Sequence, residues 1–207
     1  MELIQKYFPD LLNKQIDQLS SLKKLYTYWN ASVNIISKKT FSDFYQKHVL
    51  FCLGIAKVFS FFYGSRVMDL GTGGGFPGIP LSIVFPYTEF ILVDSINKKI
   101  KIVEEIIKNL HLKNAHAICM RAEKLENKFD FVVSRAVAKT SKIQNWIKNK
   151  FRYKSNSIIP NGSLFLKGGD LSKELEEFPH AVEYSLYHSF QEPFFITKKV
   201  IWISNNQ

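Results

Sequence analysis

The stretch Val67-Met68-Asp69-Leu70-Gly71-Thr72-Gly73-Gly74-Gly75-Phe76-Pro77-Gly78 decides the reading of this chain. The run before it, Arg66–Leu70, reads as a strand, and Ile79–Phe85 reads as a helix. Pro77 and Pro80 suit a first helical turn, where a missing N–H costs little, and Pro86 marks the end. Glycines between a strand and a helix allow a tight turn and let a ligand lie against the backbone. Several glycines in one turn exceed what turning alone requires.

Gly73, Gly75 and Gly78 satisfy G-x-G-x-x-G, the dinucleotide signature, which is a weak signal by itself. Asp69 separates two kinds of ligand. A carboxylate beside the loop repels a pyrophosphate but suits the amino group or sulfonium of S-adenosylmethionine. Asp94 closes the next strand-like run, Glu89–Asp94, near the roughly 20-residue spacing at which a ribose-binding acid follows such a loop. It also suits capping of a helix beginning at Asn97. Glu123 follows a third run, Ala115–Met120, where an adenine ring would lie with Ala122 leaving it space. A solvated loop acid is the alternative for Glu123.

Beyond the loop, short apolar runs alternate with amphipathic ones. Strands are expected at Phe129–Ser134 and Ser163–Lys167, and helices at Asn97–Leu110, Ser141–Phe151 and Leu171–Phe178. Such alternation implies an α/β fold, a doubly wound parallel sheet covered by helices on both faces. Val182–His188 and Phe194–Ser204 read as a final hairpin, with one strand antiparallel at the sheet edge. Seven strands ending this way fit the class I methyltransferase version of the Rossmann-like fold. Upstream, Ile16, Leu19, Leu22, Tyr26 and Trp29 recur at helical steps, and Phe44–Phe62 suggests a second, less periodic helix. The non-periodic stretch 30–40 between them reads as a loop. The expectation is a single domain over 1–207, with a helical layer in 1–62 and the core in 63–207.

Hydrophobic residues make up 46 % of the chain and charged residues 22 %, a globular rather than a disordered balance. Apolar runs such as Phe59–Tyr63 fall far short of the roughly 20 residues of a membrane span. Met1–Asp10 lacks a signal core, so a cytoplasmic protein is expected. Cys52 and Cys119 stand far apart, without ligand spacing, and read as reduced, partly buried thiols with no metal site. The net charge of +10 suits a nucleic-acid partner, although a genome rich in Lys, Asn, Ile and Phe codons would also produce it. The run Lys148, Lys150, Arg152, Lys154 reads either as an RNA-facing patch or as solvated surface.

The segment Asp69 to Pro80 resembles the loop of the ribosomal RNA small subunit methyltransferase G family, also called glucose-inhibited division protein B. The resemblance continues in Leu92-Val93-Asp94-Ser95, Arg121-Ala122-Glu123, Val133-Ser134-Arg135-Ala136 and Leu166-Lys167-Gly168. Trp29-Asn30, Val33-Asn34-Ile35 and Lys47-His48-Val49-Leu50 extend it upstream. It implies S-adenosylmethionine-dependent methylation of a guanine N7 in 16S ribosomal RNA, with the RNA or a small-subunit precursor as substrate; a monomer is expected. It also implies cofactor contacts at Gly71, Phe76, Ala122, Glu123 and Arg135, beside Asp69, Gly73 and Asp94 from the loop reading. The family follows His48-Val49-Leu50 with Asp-Ser, where this chain has Phe51-Cys52.

Guanine N7 carries a lone pair and no proton, so its methylation needs alignment rather than a general base. No catalytic dyad is therefore expected. Arg135 and Lys167 are candidates for the reaction cleft. Arg135 is expected to face the cofactor carboxylate or RNA phosphate, or else to pair with Asp130 or Glu123. Lys167 is expected at RNA phosphate or in solvent, and His48 as a packed or capping residue. Neither cysteine is placed for a covalent route to a base carbon. The runner-up function is an NAD(P)-binding oxidoreductase.

Overall fold

The computed structural model describes residues 1–153 and 159–205. Helices α1 (Glu2–Tyr7), α2 (Asn13–Asn30) and α3 (Lys38–Phe41) lead into a π-helical turn, Tyr45–Leu50, and α4 (Phe51–Val58). Then follow β1 (Arg66–Leu70), α5 (Gly78–Val84), β2 (Glu89–Asp94), α6 (Asn97–Asn109) and β3 (Ala115–Cys119). The chain continues through β4 (Phe131–Arg135), α7 (Thr140–Ile147), β5 (Gly162–Gly168), α8 (Ser172–Leu175), β6 (Val182–Ser185) and β7 (Lys198–Ser204).

The sheet has 7 strands in the order β3-β2-β1-β4-β5-β7-β6. The first five run parallel, and β7 pairs antiparallel with both β5 and β6. This is the doubly wound, Rossmann-like sheet that the alternation implied. Side chains sort by the strand period of two. Val67, Phe90, Leu92, Phe131 and Val133 enter an apolar cluster shared with the N-terminal helices. Met68, Ile91, Val93, Val132 and Phe165 face the opposite cluster, with Ile143 and Ile147 of α7. Strand order reverses at β1, between β2 and β4, and ligands of open α/β sheets bind at such a switch point, beyond the strands' carboxyl ends.

Several boundaries differ from expectation. The helix expected to reach Phe151 ends at Ile147, because the next residues pair with the entrance to β4: Phe129 N–H donates to the Lys150 carbonyl and Arg152 N–H to that of Phe129. Helix α8 stops at Leu175, and a turn from Leu175 to Phe178 leads into Pro179. The closing hairpin is interrupted by two 3-10 turns, Leu186–His188 and Pro193–Phe195. The first buries Leu186 so close to Gly54 that a Cβ there would lie 2.6 Å from it. The antiparallel strand is not at the edge: β7 inserts between β5 and β6, and β6 takes the edge. Stretch 30–40 is a loop that ends in α3.

Candidate functional site

A cavity of about 480 Å3 opens at the carboxyl ends of β1, β2, β3 and β4. Its volume falls in the range of small-molecule sites. The glycine loop forms one wall with Gly71, Thr72, Gly73, Gly74 and Phe76. Gly71 has φ +66°, and a Cβ on it would lie 2.5 Å from the Val137 side chain. Gly73 has φ +58° with nothing nearer to such a Cβ than 3.9 Å, so its open side faces free space.

Asp94 lines the cavity and ties two elements to it. Its Oδ2 accepts the Gly73 N–H at 2.9 Å, and its Oδ1 accepts the Ile96 N–H at 2.9 Å, ahead of α6. Asp94 thus holds the turn ahead of α6 without capping it, because the N-cap of that helix is Ile96 and no side chain bonds there. Lys99 Nζ stands 4.0 Å from Oδ2. Ala122 and Glu123 line the cavity from a 3-10 turn, Ala122–Lys124. Among the described residues the Glu123 carboxylate has no hydrogen-bond or ion-pair partner, while its carbonyl accepts from Lys150 Nζ at 3.0 Å.

Asp69 lies elsewhere than its sequence reading implied. It is fully buried beneath the loop and is absent from the cavity wall. Oδ2 accepts from the Thr72 hydroxyl at 2.5 Å and from the Gly78 N–H at 2.8 Å, which braces both ends of the loop. Oδ1 is buried without a hydrogen-bond partner among the described residues. Burial pushes this carboxyl up to about 7, against the pull of Thr72, Gly78 and Arg135.

Arg135 does line the cavity, with its guanidinium carbon 4.8 Å from the Phe76 ring centre. It makes no ion pair among the described residues. The proposed partner Asp130 is taken by Arg152 Nη1 and by the Arg66 N–H, each at 2.8 Å. Lys167 is not on the wall. Two of its three N–H groups are engaged, one by the Ala138 carbonyl at 2.9 Å and one by Glu174 Oε1 at 2.8 Å, which holds it away from the cavity. The basic run is also no open patch, since Lys150 is buried, donating to the Glu123 and Leu125 carbonyls, and Arg152 holds Asp130. Lys154 lies outside the described residues.

The N-terminal layer supplies a wall that the sequence did not announce: Ile35, Ile36, Ser37, Thr40 and His48. Asn30 shapes it, its Oδ1 accepting the N–H groups of Ile35 and Ile36 at 2.8 and 2.9 Å. Tyr26 reaches across to donate its hydroxyl to the Gly74 carbonyl. His48 sits in the π-helical turn, its ring 5.6 Å from that of Phe76, centre to centre. Turns of this kind recur at functional sites. Burial, then the charges of Arg135 and Lys47, hold the imidazole down to about 4. Phe51 packs edge-on against Phe194 at 5.7 Å, and Cys52 is buried with its thiol pushed up to about 12, so this departure from the family pattern turns inward. Cys119, expected to be partly buried, is exposed.

The sequence profile of the rRNA small subunit methyltransferase G family matches residues 15–200. The chain belongs to this family. Proteins named ribosomal RNA small subunit methyltransferase G are similar to it along almost the whole length. That of Flavobacterium psychrophilum is 50 % identical over 98 % of this chain and 97 % of its own. That of Bacteroides thetaiotaomicron is 50 % identical, covering 98 % of each chain. Among solved structures, a SAM-dependent methyltransferase from Aquifex aeolicus aligns with a TM-score of 0.53 at 15 % identity, over 73 % of this chain and 88 % of its own. MtNAS in complex with S-adenosylmethionine aligns with a TM-score of 0.57 at 14 % identity, over 92 % and 76 %. At such identities these two report the fold alone. The family match favours the methyltransferase reading over the oxidoreductase alternative.

Proposed function

We propose that this protein transfers the methyl group of S-adenosylmethionine to N7 of a guanine in 16S ribosomal RNA, in the cytoplasm. The observation that carries the proposal is the coincidence of family and site. The family's motifs at Gly71–Phe76, Asp94, Ala122–Glu123 and Arg135 converge on one cavity at the sheet's switch point.

The residues present fit the cofactor. The exposed face of Gly73 admits close approach to the backbone, and Asp94 offers carboxylate oxygens for ribose hydroxyls. Ala122 leaves room for a flat base, with the Glu123 carboxylate, unpartnered among the described residues, beside it to accept from an exocyclic amine. Arg135, lacking an anionic partner among the described residues, takes the cofactor carboxylate or an RNA phosphate through its planar fork. Asp69 serves from below by fixing the loop. S-adenosylmethionine supplies an electrophilic methyl group on a sulfonium.

The chain's task is alignment. Guanine N7 has no proton to lose, so the reaction calls for no base. His48 is neutral at physiological pH, and the buried Cys52 thiol stays protonated. The cavity walls hold donor and acceptor together, which supplies proximity and orientation. The net charge of +10 favours the approach of RNA.

The test compares ribosomal RNA from cells with and without the gene. N7 methylation makes the glycosidic bond labile after reduction, so aniline cleaves the strand there. Loss of that cleavage, together with loss of 7-methylguanosine by mass spectrometry, is the expected result. An unchanged signal in the deletion strain overturns the function.

A further inference from the structure

Lys150 belongs to the basic run that the sequence offers as an RNA patch, yet only 8 % of it is exposed. Burying an ammonium is costly unless its donors are satisfied. Among the described residues it forms no ion pair. Its Nζ donates instead to the Glu123 carbonyl at 3.0 Å and to the Leu125 carbonyl. Both carbonyls belong to the 3-10 turn Ala122–Lys124 and the residue that caps it. The turn closes two carbonyls by itself: Arg121 accepts the Lys124 N–H at 3.0 Å, and Ala122 accepts the Leu125 N–H at 3.2 Å. Lys150 takes the carbonyls of Glu123 and Leu125, which the turn leaves over. Its own backbone is anchored at both ends. The Lys150 N–H donates to the Ile147 carbonyl at 2.8 Å, and its carbonyl accepts the Phe129 N–H at 2.7 Å. The lysine thus ties the cavity wall at Ala122 and Glu123 to the end of α7 and the entrance of β4.

We infer that Lys150 is a positioning residue that holds Glu123 where its carboxylate meets the exocyclic amine of the cofactor's adenine. The inference rests on the function proposed above and adds what fixes the wall that reads the base. Glu123 is exposed on its turn, and its carboxylate has no partner among the described residues to orient it. Its placement falls to the backbone, and Lys150 holds that backbone at the Glu123 carbonyl. An ammonium suits the task, because three donors on one long stem can engage two carbonyls at once. A site built around a ligand N–H rejects an analogue that lacks it more strongly than an apolar pocket could. Discrimination for the amine therefore reports where Glu123 stands.

The test measures a preference rather than an affinity. Binding of S-adenosylhomocysteine, and of its analogue with hydrogen in place of the exocyclic amine, is followed by calorimetry on the full chain. Wild type, Glu123→Ala and Lys150→Met are compared. Met keeps an apolar stem of similar length and loses the donors. Lys150→Gln, whose shorter stem cannot span both carbonyls, takes its place if Lys150→Met does not fold. Wild type is expected to prefer the amine-bearing ligand about tenfold, the scale of one hydrogen bond to a charged acceptor. The preference is expected to vanish in Glu123→Ala and to fall by about threefold or more in the Lys150 variant. A preference that survives in the folded Lys150 variant overturns the inference, even where both ligands bind more weakly, because a packing role weakens them alike. Failure of both Lys150 variants to fold overturns it in favour of a role in folding. Wild type without a preference, or a preference kept in Glu123→Ala, overturns the placement of adenine beside Glu123 instead. Wild type that binds neither ligand overturns the proposed function, and in these last cases the inference falls with the reading it rests on.

Discussion

The Gly73 N–H donates to Asp94 Oδ2 across 2.9 Å, so the acid that ends β2 holds the loop that follows β1. Two neighbouring parallel strands thus share one hydrogen bond at the point where the cavity begins. Loss of that carboxylate releases the loop and removes the acceptor for ribose together. Asp94→Ala is expected to weaken S-adenosylmethionine binding by about 1.5–3 kcal/mol, on the order of tenfold to a hundredfold. Isothermal calorimetry on the folded variant checks this, and an unchanged affinity counts against the site.

Asp69 gives a pH dependence of known sign. Burial raises its carboxyl from 3.8 to about 7, so the folded chain keeps the proton where the unfolded chain has lost it. Its contribution to folding is complete below 3.8 and is lost as pH climbs through about 7. Asp69→Asn keeps an oxygen for Thr72 and Gly78 but cannot ionise. The Tm of the variant relative to wild type is expected to rise between about pH 4 and 8. A difference independent of pH in thermal melts refutes the shift.

Arg135 and Lys167 are expected to part company. Lys167→Met removes bonds to Ala138 and Glu174 and should cost about 1–3 kcal/mol in urea unfolding, leaving RNA affinity as it was. RNA affinity should fall steeply with salt. Arg135→Ala should lower the affinity and flatten that dependence by about one phosphate contact. A salt slope that responds to Lys167→Met and not to Arg135→Ala would reverse the assignment.

The two thiols should react very differently. Cys119 is exposed, whereas Cys52 is buried with its thiol pushed up to about 12. Native protein treated with iodoacetamide is expected to carry a label on Cys119 alone, with Cys52 labelled only after unfolding. Peptide mass spectrometry reads the outcome.

What the sequence disclosed follows from what local pattern can carry. The strand, glycine turn and helix around Gly71 are consecutive in the chain, and Asp94 closes the next strand, so their meeting follows from the fold. The wall made by Ile35–Thr40 and His48 was hidden, because stretch 30–40 has no period and His48 lies in a π-helical turn that breaks helical spacing. Asp69 misled because a carboxylate near a ligand loop reads alike above or below it, and only the bonds to Thr72 and Gly78 place it below. Lys167 and Lys150 misled for a related reason. Their heads are satisfied by carbonyls of distant segments, which composition does not record.

The place of β7 has a consequence for how the protein is made. It is synthesised after β5 and β6 yet lies between them. Until Lys198–Ser204 emerge from the ribosome, β5 exposes an unpaired edge and β6 has no neighbour in the sheet. Such an edge is a template for any other extended chain nearby. A premature stop codon just before Lys198 would spare the glycine loop, Asp94, Glu123 and Arg135. Its product is nonetheless expected to aggregate rather than persist as a shortened enzyme.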